Sequence, residues 1–207
     1  MPRTLSGRVR TSRRRLGALI SAALPLLLGM LAPVVAAARA VAGRVPAPPC
    51  PGANLRPSPA NAAAAGAATL CLINQLRVSQ HLRALYANRY LQRVATRQVR
   101  QMVHLDYFAD LPPSGPPSSA QIAASHYAAH AARLATGQNI GWGTGEDGTP
   151  ASIVAAWMAS PPHRALMLGR AFHDIGVAIS PMLPAVLGQG RQGGLYTVEF
   201  AARASWG

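Results

Sequence analysis

The sequence predicts an α+β protein in which several helices pack on a small antiparallel sheet. Helices are indicated because segments with helical apolar spacing follow good helix-capping residues, first at Ser58-Pro59 and again at Asn88. The sheet is indicated by two short runs near the C-terminus, 174–180 and 195–201, which are typical of strands. A Gly- and Pro-rich hairpin loop, 181–194, is expected to join them.

The first 42 residues have the three parts of a secretory signal. Six arginines and no acid lie in residues 1–15, an uncharged Leu/Ala-rich run covers 16–38, and small residues then offer two A-x-A cleavage sites. That run is also long enough to span a bilayer, so an uncleaved membrane anchor is the alternative. Pro25, Gly29 and Pro33 within the run favour cleavage. We therefore expect an extracellular or envelope-associated protein with no stable membrane span.

Cleavage changes the charge of the protein. The chain has a formal net charge of +14, and all 20 of its basic residues are arginine. Seven of these lie in residues 1–42, so the remainder keeps 13 arginines against 6 acidic residues. Such a basic protein favours anionic partners, such as an envelope polymer or lipid head groups. No DNA- or RNA-binding motif accompanies the charge, so we expect no nucleic-acid partner.

Cys50 and Cys71 are predicted to form a disulfide, because a pair of cysteines in an exported chain is most simply oxidised. Two free thiols are the alternative. Cys50 lies in a Pro-rich lead-in, 43–58, which the bridge would tie to the following domain, 59–203. A bridge of this loop length contributes about 3 kcal/mol in the chain-entropy account.

Helices are expected at several places along this domain. The first follows Ser58, and the second follows Asn88 and carries its apolar residues on one face. Thr149-Pro150 indicates the start of a further helix. The predicted helical spans are 59–79, 120–134, 151–159 and 163–168. Loops are expected at 111–119 and at the glycine-rich stretch 141–145.

Four arginines lie on one side of the second predicted helix, at Arg89, Arg93, Arg97 and Arg100. One interpretation is a docking face for an anionic envelope polymer or lipid. The other is a solvated helix surface with no further role, because most charged helix faces simply contact water. The sequence leaves both interpretations open.

Two further patterns carry no chemistry. Gly141-x-Gly143-x-Gly145 does not follow a βαβ pattern and is not a phosphate-binding loop. His126 and His130 share a helical face, but Tyr127 stands where a zinc protease needs glutamate, and no third ligand is in view. We therefore expect no metal and no cofactor.

Separated segments nevertheless form a pattern in a fixed order. They are L-C-L-I-N-Q at 70–75, Met102 with Tyr107-Phe108, N-I-G-W-G at 139–143, A-W-M-A-S-P-P-H-R at 156–164, I-G-V at 175–177 and Y-T-V-E-F at 196–200. Together they resemble the bacterial secreted branch of the CAP superfamily, which comprises the cysteine-rich secretory, antigen 5 and pathogenesis-related proteins. The resemblance covers roughly residues 50–202. It implies an α-β-α sandwich whose central cleft holds, in many members, two histidines and two acidic residues that bind a divalent metal.

The metal-binding residues of that family are largely replaced in this sequence. His163 matches the second histidine, but Asp110 stands in place of the first and Gln138 in place of one acid. The other acid has no counterpart, because no Asp or Glu lies between Asp110 and Glu146. The resemblance thus implies a cleft formed by Asp110, Gln138, Asn139 and His163, with a degenerate metal tetrad.

Three functional hypotheses follow. The first is a non-enzymatic extracellular binding module that uses this cleft or the four arginines of the second helix. The second is a peptide or ester hydrolase with His163 as general base and Asp110 as its partner or as a replacement metal ligand. The third is a purely structural envelope protein. Independently of these three, His163 has a structural interpretation, in which it only caps or braces the cleft wall.

Overall fold

The computed structural model describes residues 49–188 and 191–205, so the predicted signal segment lies outside the described residues. The helices are α1 (Ala62–Ser79), α2 (Arg89–His104), α3 (Ser118–Ala123), α4 (Pro150–Ala159), α5 (Pro161–Met167) and α6 (Ala185–Gly188). The strands are β1 (Tyr86–Ala87), β2 (Ala131–Gly143), β3 (Asp174–Met182) and β4 (Gln192–Ser205).

The sheet has the strand order β1-β3-β4-β2. Strand β4 lies between β2 and β3 and is antiparallel to both. The two-residue β1 adds a short parallel pair at the start of β3. The predicted α+β class is therefore confirmed, with the antiparallel pairing confined to the three long strands.

Helices cover both faces of this sheet. On one face, Ile73 of α1 and Trp157 of α4 share a buried cluster with Tyr196, Val198 and Phe200 of β4. On the other face, α2 contributes apolar residues to a second buried cluster, formed with β2, β3 and β4, that includes Ala95, Val99, Met102, Ile140, Ala178 and Leu195. Alternate residues of one strand thus serve opposite cores. The result is the expected α-β-α sandwich.

Local signals placed two helices correctly. Asn88 accepts a hydrogen bond from the backbone N–H of Tyr90 (2.9 Å), which caps α2. Thr149 accepts one from the N–H of Ser152 (3.3 Å), and Pro150 follows as the first residue of α4. The predicted disulfide is confirmed: Cys50 is bonded to Cys71 of α1, with their Cα atoms 5.7 Å apart.

The predicted helix at 120–134 is confirmed only at its start and is wrong beyond residue 123. Helix α3 ends at Ala123, and β2 begins at Ala131 and continues through most of the stretch expected to be a flexible loop. The glycines of β2 serve close packing. A Cβ at Gly137 would overlap Leu166 of α5, and one at Gly141 would lie 3.0 Å from the indole nitrogen of Trp157. The predicted hairpin loop is also shorter, since β3 and β4 extend into it and α6 lies inside it.

Arg77 of α1 is a buried cation that the sequence did not single out. Its side chain is 1% exposed, and burial lowers its pKa. Its guanidinium donates to the carbonyl oxygens of Arg83 (2.9 Å), Met167 (2.8 Å), Gly169 (3.0 Å) and Phe172 (3.3 Å). Arg77 thereby joins α1 to the chain between α5 and β3.

Within residues 49–188 and 191–205, none of the helices has both the length and the hydropathy that crossing a membrane requires.

Candidate functional site

The structure does not bring the four expected cleft residues together. Gln138 and Asn139 are neighbours on β2, so their side chains point to opposite faces of the sheet. Gln138 Nε2 donates to Ser118 Oγ of α3 (2.7 Å), whereas Asn139 Nδ2 donates to the carbonyl oxygen of His163 on α5 (3.1 Å). The expected cleft is thus divided into two sites with the sheet between them.

Asp110 lies on the same side as Gln138. Both line a pocket of about 260 Å³, together with Ser118, Thr136 and Glu199. The loop that carries Asp110 is fixed from α2, because Gln98 Nε2 donates to the carbonyl oxygen of Ala109 (3.2 Å). Asp110 itself is exposed. A carboxylate therefore stands at the opening of this pocket.

Glu199 supplies a second carboxyl group to the pocket. It lies opposite Gln138 in the β2–β4 register and is 1% exposed. Its Oε1 accepts a hydrogen bond from Gln138 Nε2 (2.6 Å). Burial raises the pKa of Glu199 to about 7; hydrogen bonds from Gln138 and Ser118 lower it, and the negative charge of Asp110 raises it. This carboxyl group therefore titrates near neutral pH.

Glu199 was not predicted as a site residue, although the sequence contains one indication that it is special. It is the only charged residue in the strand run L-Y-T-V-E-F-A at 195–201, which is otherwise almost entirely apolar. A charged side chain in such a run is rarely buried unless it has partners or a function. The family resemblance included this run without giving Glu199 a role.

His163 lies on the opposite face of the sheet and is half-buried on α5. Its Nδ1 is 2.8 Å from Ser160 Oγ, three residues earlier, and its backbone is held by Asn139. Asn139 is fully buried, and its Oδ1 has no hydrogen-bond partner among the described residues. These contacts favour the interpretation of His163 as a bracing residue and separate it from Asp110.

The residues present do not fit the divalent metal that the family cleft implies. In the described part of the chain, no group of three or more His, Cys, Asp or Glu side chains is placed to hold a metal ion. The amide of Gln138 directs its hydrogens at Glu199 and Ser118, which makes it a donor to the carboxyl group. His126 and His130 are both exposed, and the His126 ring lies beside that of Tyr90 (6.0 Å between centroids).

The four arginines of α2 are all exposed on its outer side. The guanidinium groups of Arg89 and Arg93 lie over the ring of Tyr90, 4.8 and 5.6 Å from its centroid. Arg97 donates to Gln121 Oε1 (3.1 Å). Arg93, Arg97 and Arg100 also line one shallow depression, which His104 joins. We call Arg89, Arg93, Arg97 and Arg100 the arginine face.

Among the described residues, no acidic side chain forms an ion pair with the arginine face. In the part of the chain that the structure describes, the observed ion pair joins Arg56 to Glu146, and none involves α2. The partners of the α2 guanidinium groups are instead the ring and hydroxyl group of Tyr90 and an amide oxygen. The positive charge of the arginine face is therefore not balanced by an ion pair within the described domain.

Comparisons with known proteins agree with this fold. An extracellular protein containing an SCP domain from Bacillus anthracis str. Ames matches with a TM-score of 0.52 and 18% identity, over 70% of this chain and 43% of that chain. An outer surface protein from Borrelia burgdorferi matches at 0.51 and 17%, over 65% and 90%. A cysteine-rich secretory protein from Staphylococcus aureus subsp. aureus Mu50 matches at 0.50 and 18%, over 72% and 41%.

This chain thus spans less than half the length of the Bacillus and Staphylococcus proteins. No curated protein matches its sequence. The family described as CAP, the cysteine-rich secretory protein family, matches residues 70–182, which is more than half of the chain. The chain therefore belongs to the CAP family of cysteine-rich secretory proteins.

Proposed function

We propose that the protein is a secreted, non-enzymatic CAP-domain module that binds an anionic surface of the cell envelope. The observation that carries this proposal is the arginine face. Four exposed cations follow one side of α2, and in the described part of the chain none of them has an acidic partner. The depression shared by Arg93, Arg97 and Arg100 offers an anionic group several guanidinium donors at once.

The charges on this face are spaced for a repeating ligand. Positions 89, 93, 97 and 100 lie along one side of a helix, in which successive residues rise by about 1.5 Å. The row therefore extends over roughly 16 Å, about twice the screening length at physiological ionic strength. A single small anion contacts only part of such a row, whereas a polymer or a charged surface contacts all of it.

The division of the expected cleft supports a non-enzymatic role. A general base needs its partner within hydrogen-bonding distance, but His163 and Asp110 lie on opposite sides of the sheet. The hydrogen-bonding neighbours of His163 are Ser160 and, through its backbone, Asn139. Those contacts orient the ring without supplying a carboxylate.

Binding to phosphocellulose, a phosphate-bearing matrix, tests the proposal. In the test variant, Arg93, Arg97 and Arg100 are all changed to Gln. In the matched control, the same change is made at Arg133, Arg164 and Arg170, which are exposed on other elements. Both variants lose three positive charges. We expect the test variant to elute at much lower salt than the control. Equal elution of the two variants would show that net charge alone governs binding.

A hydrolase of peptides or esters is a second candidate, favoured by one observation. The buried carboxyl group of Glu199 has a pKa of about 7 and lines a pocket with Asp110, as a general acid or base would. The measurement is hydrolysis of p-nitrophenyl acetate by the wild type, Glu199→Gln and His163→Ala. Loss of turnover in Glu199→Gln alone supports this candidate. A wild-type rate equal to that of buffer contradicts it for esters of this kind.

A further inference from the structure

We infer that the anionic partner of the arginine face is a lipid bilayer, into which an apolar tip at the C-terminal end of α2 inserts. The inference rests on the proposed function and adds the class of ligand. The apolar tip consists of Leu105, Met182 and Val186. Their side chains are 40%, 62% and 63% exposed, although each is large and apolar. Single exposed apolar residues are common on protein surfaces and need no explanation. These three lie beside a row of cations, and that position indicates an interaction site.

Contacts place the tip at the end of the arginine face. Leu105 follows the last residue of α2 and lines the same depression as Arg100 and His104. Val186 is joined to the next residue of that loop, because its backbone N–H donates to Asp106 Oδ1 (2.8 Å). Met182 follows Pro181, which lines a groove of about 600 Å³ between α1 and α2 together with Arg100. Each of the three apolar residues is therefore connected, directly or through a chain neighbour, to the C-terminal part of α2 or to the loop that follows it.

The tip is held in place by the domain beneath it. Leu183, between Met182 and α6, is 4% exposed and packs in the same buried cluster as Val99 and Met102 of α2. The N–H of Met182 donates to Ser180 Oγ (3.0 Å), and the hydroxyl group of Ser180 donates to the Met182 carbonyl oxygen (2.9 Å). A preformed apolar projection loses little conformational freedom when it enters a membrane.

Charge around the tip favours an anionic bilayer. Arg100 and His104 lie on one side, and exposed Arg191 is bonded through its backbone N–H to the carbonyl oxygen of Gly188, at the end of α6 (2.9 Å). The acid at this end is Asp106, whose carboxylate is engaged by the N–H of Val186. A basic surface beside an apolar projection is the arrangement of proteins that lie in the membrane interface.

The chemistry separates a bilayer from an anionic polysaccharide. Both partners attract the arginines. Only a bilayer offers an apolar phase in which leucine, methionine and valine side chains gain free energy on leaving water. A hydrated sugar polymer leaves these side chains in water, so it cannot account for their exposure at this place.

The experiment is cosedimentation of the full protein with vesicles of equal parts phosphatidylglycerol and phosphatidylcholine, and with vesicles of phosphatidylcholine alone. The tip variant is Met182→Gln/Val186→Gln. Its matched control, Val78→Gln/Tyr86→Gln, changes apolar residues of similar exposure, 58% and 72%, on other elements. We expect strong binding to the anionic vesicles only. The tip variant should bind them at least about tenfold more weakly, and the control should bind like the wild type.

Phosphocellulose elution of the same variants separates this inference from the proposed function. We expect the tip variant to elute like the wild type. If the tip variant also binds vesicles like the wild type, or if the wild type binds phosphocellulose but not anionic vesicles, the lipid inference is wrong and the arginine face stands. If the wild type binds neither, both proposals are wrong. Equal thermal unfolding of the tip variant and its control shows that the substitutions have not disturbed the fold.

Discussion

Replacing Glu199 by glutamine tests the buried carboxyl group. An ordinary glutamate has a pKa near 4.5, whereas burial raises that of Glu199 to about 7. A difference of this size corresponds to roughly 3 kcal/mol of unfolding free energy. Below pH 4.5 the group is protonated in both the folded and the unfolded chain, so it contributes no pH dependence. Between pH 4.5 and 7 the unfolded chain loses the proton first, and stability falls as the pH rises.

The variant Glu199→Gln removes that loss. Glutamine is neutral at every pH, and its amide oxygen can still accept the hydrogen bond from Gln138 Nε2. We expect the variant to exceed the wild type by up to about 3 kcal/mol at pH 8, with a much smaller difference at pH 4. Urea unfolding at pH 4, 6 and 8 measures this, with the exposed Asp147→Asn as control. A difference between Glu199→Gln and the wild type that stays constant from pH 4 to pH 8 would refute the reasoning.

Two further predictions concern stability. Arg77→Met leaves the carbonyl oxygens that Arg77 binds without their donors. We expect it to lower the free energy of unfolding, measured with urea, by about 3 kcal/mol or more. The exposed Arg83→Met should lower it by less than about 0.5 kcal/mol. Equal losses for the two variants would show that Arg77 does not stabilise the packing of α1 against the chain between α5 and β3. Cys50→Ser/Cys71→Ser should lower the unfolding free energy by about 3 kcal/mol, and dithiothreitol should lower it similarly in the wild type but not in the variant.

The sequence predicted those elements whose signals are local. Asn88 with helical apolar spacing marked α2, and Thr149-Pro150 marked α4, because a cap and a periodic face act within a few residues. Strand β2 had no such signal. Its alanines and glycines show neither alternation nor strong strand preference, and its long register with β4, some 60 residues away, determines its conformation. Pairing over that distance overrides local preference.

The candidate site, too, could be predicted only in part from the sequence. Matching family segments position by position placed Gln138 and Asn139 side by side, but a strand sends neighbouring side chains to opposite faces. Since no strand was predicted around Gln138, that division was not visible in the sequence. Glu199 joined Gln138 only through the β2–β4 register. The arginine face could be predicted because it lies on one helix. That it forms no ion pair with the described acidic residues emerged only from the folded structure.

The most direct test of the arginine face is the dissociation constant for soluble polyphosphate, measured by calorimetry at low and physiological salt. Three arginines at about 1 kcal/mol each give a difference of roughly 100-fold. We predict that changing Arg93, Arg97 and Arg100 to Gln weakens binding by about this factor at low salt. The control, in which Arg133, Arg164 and Arg170 are changed to Gln, should weaken binding far less. Physiological salt should weaken binding by the wild type. Equal weakening by the two triple variants, or no binding by the wild type at low salt, would contradict the account.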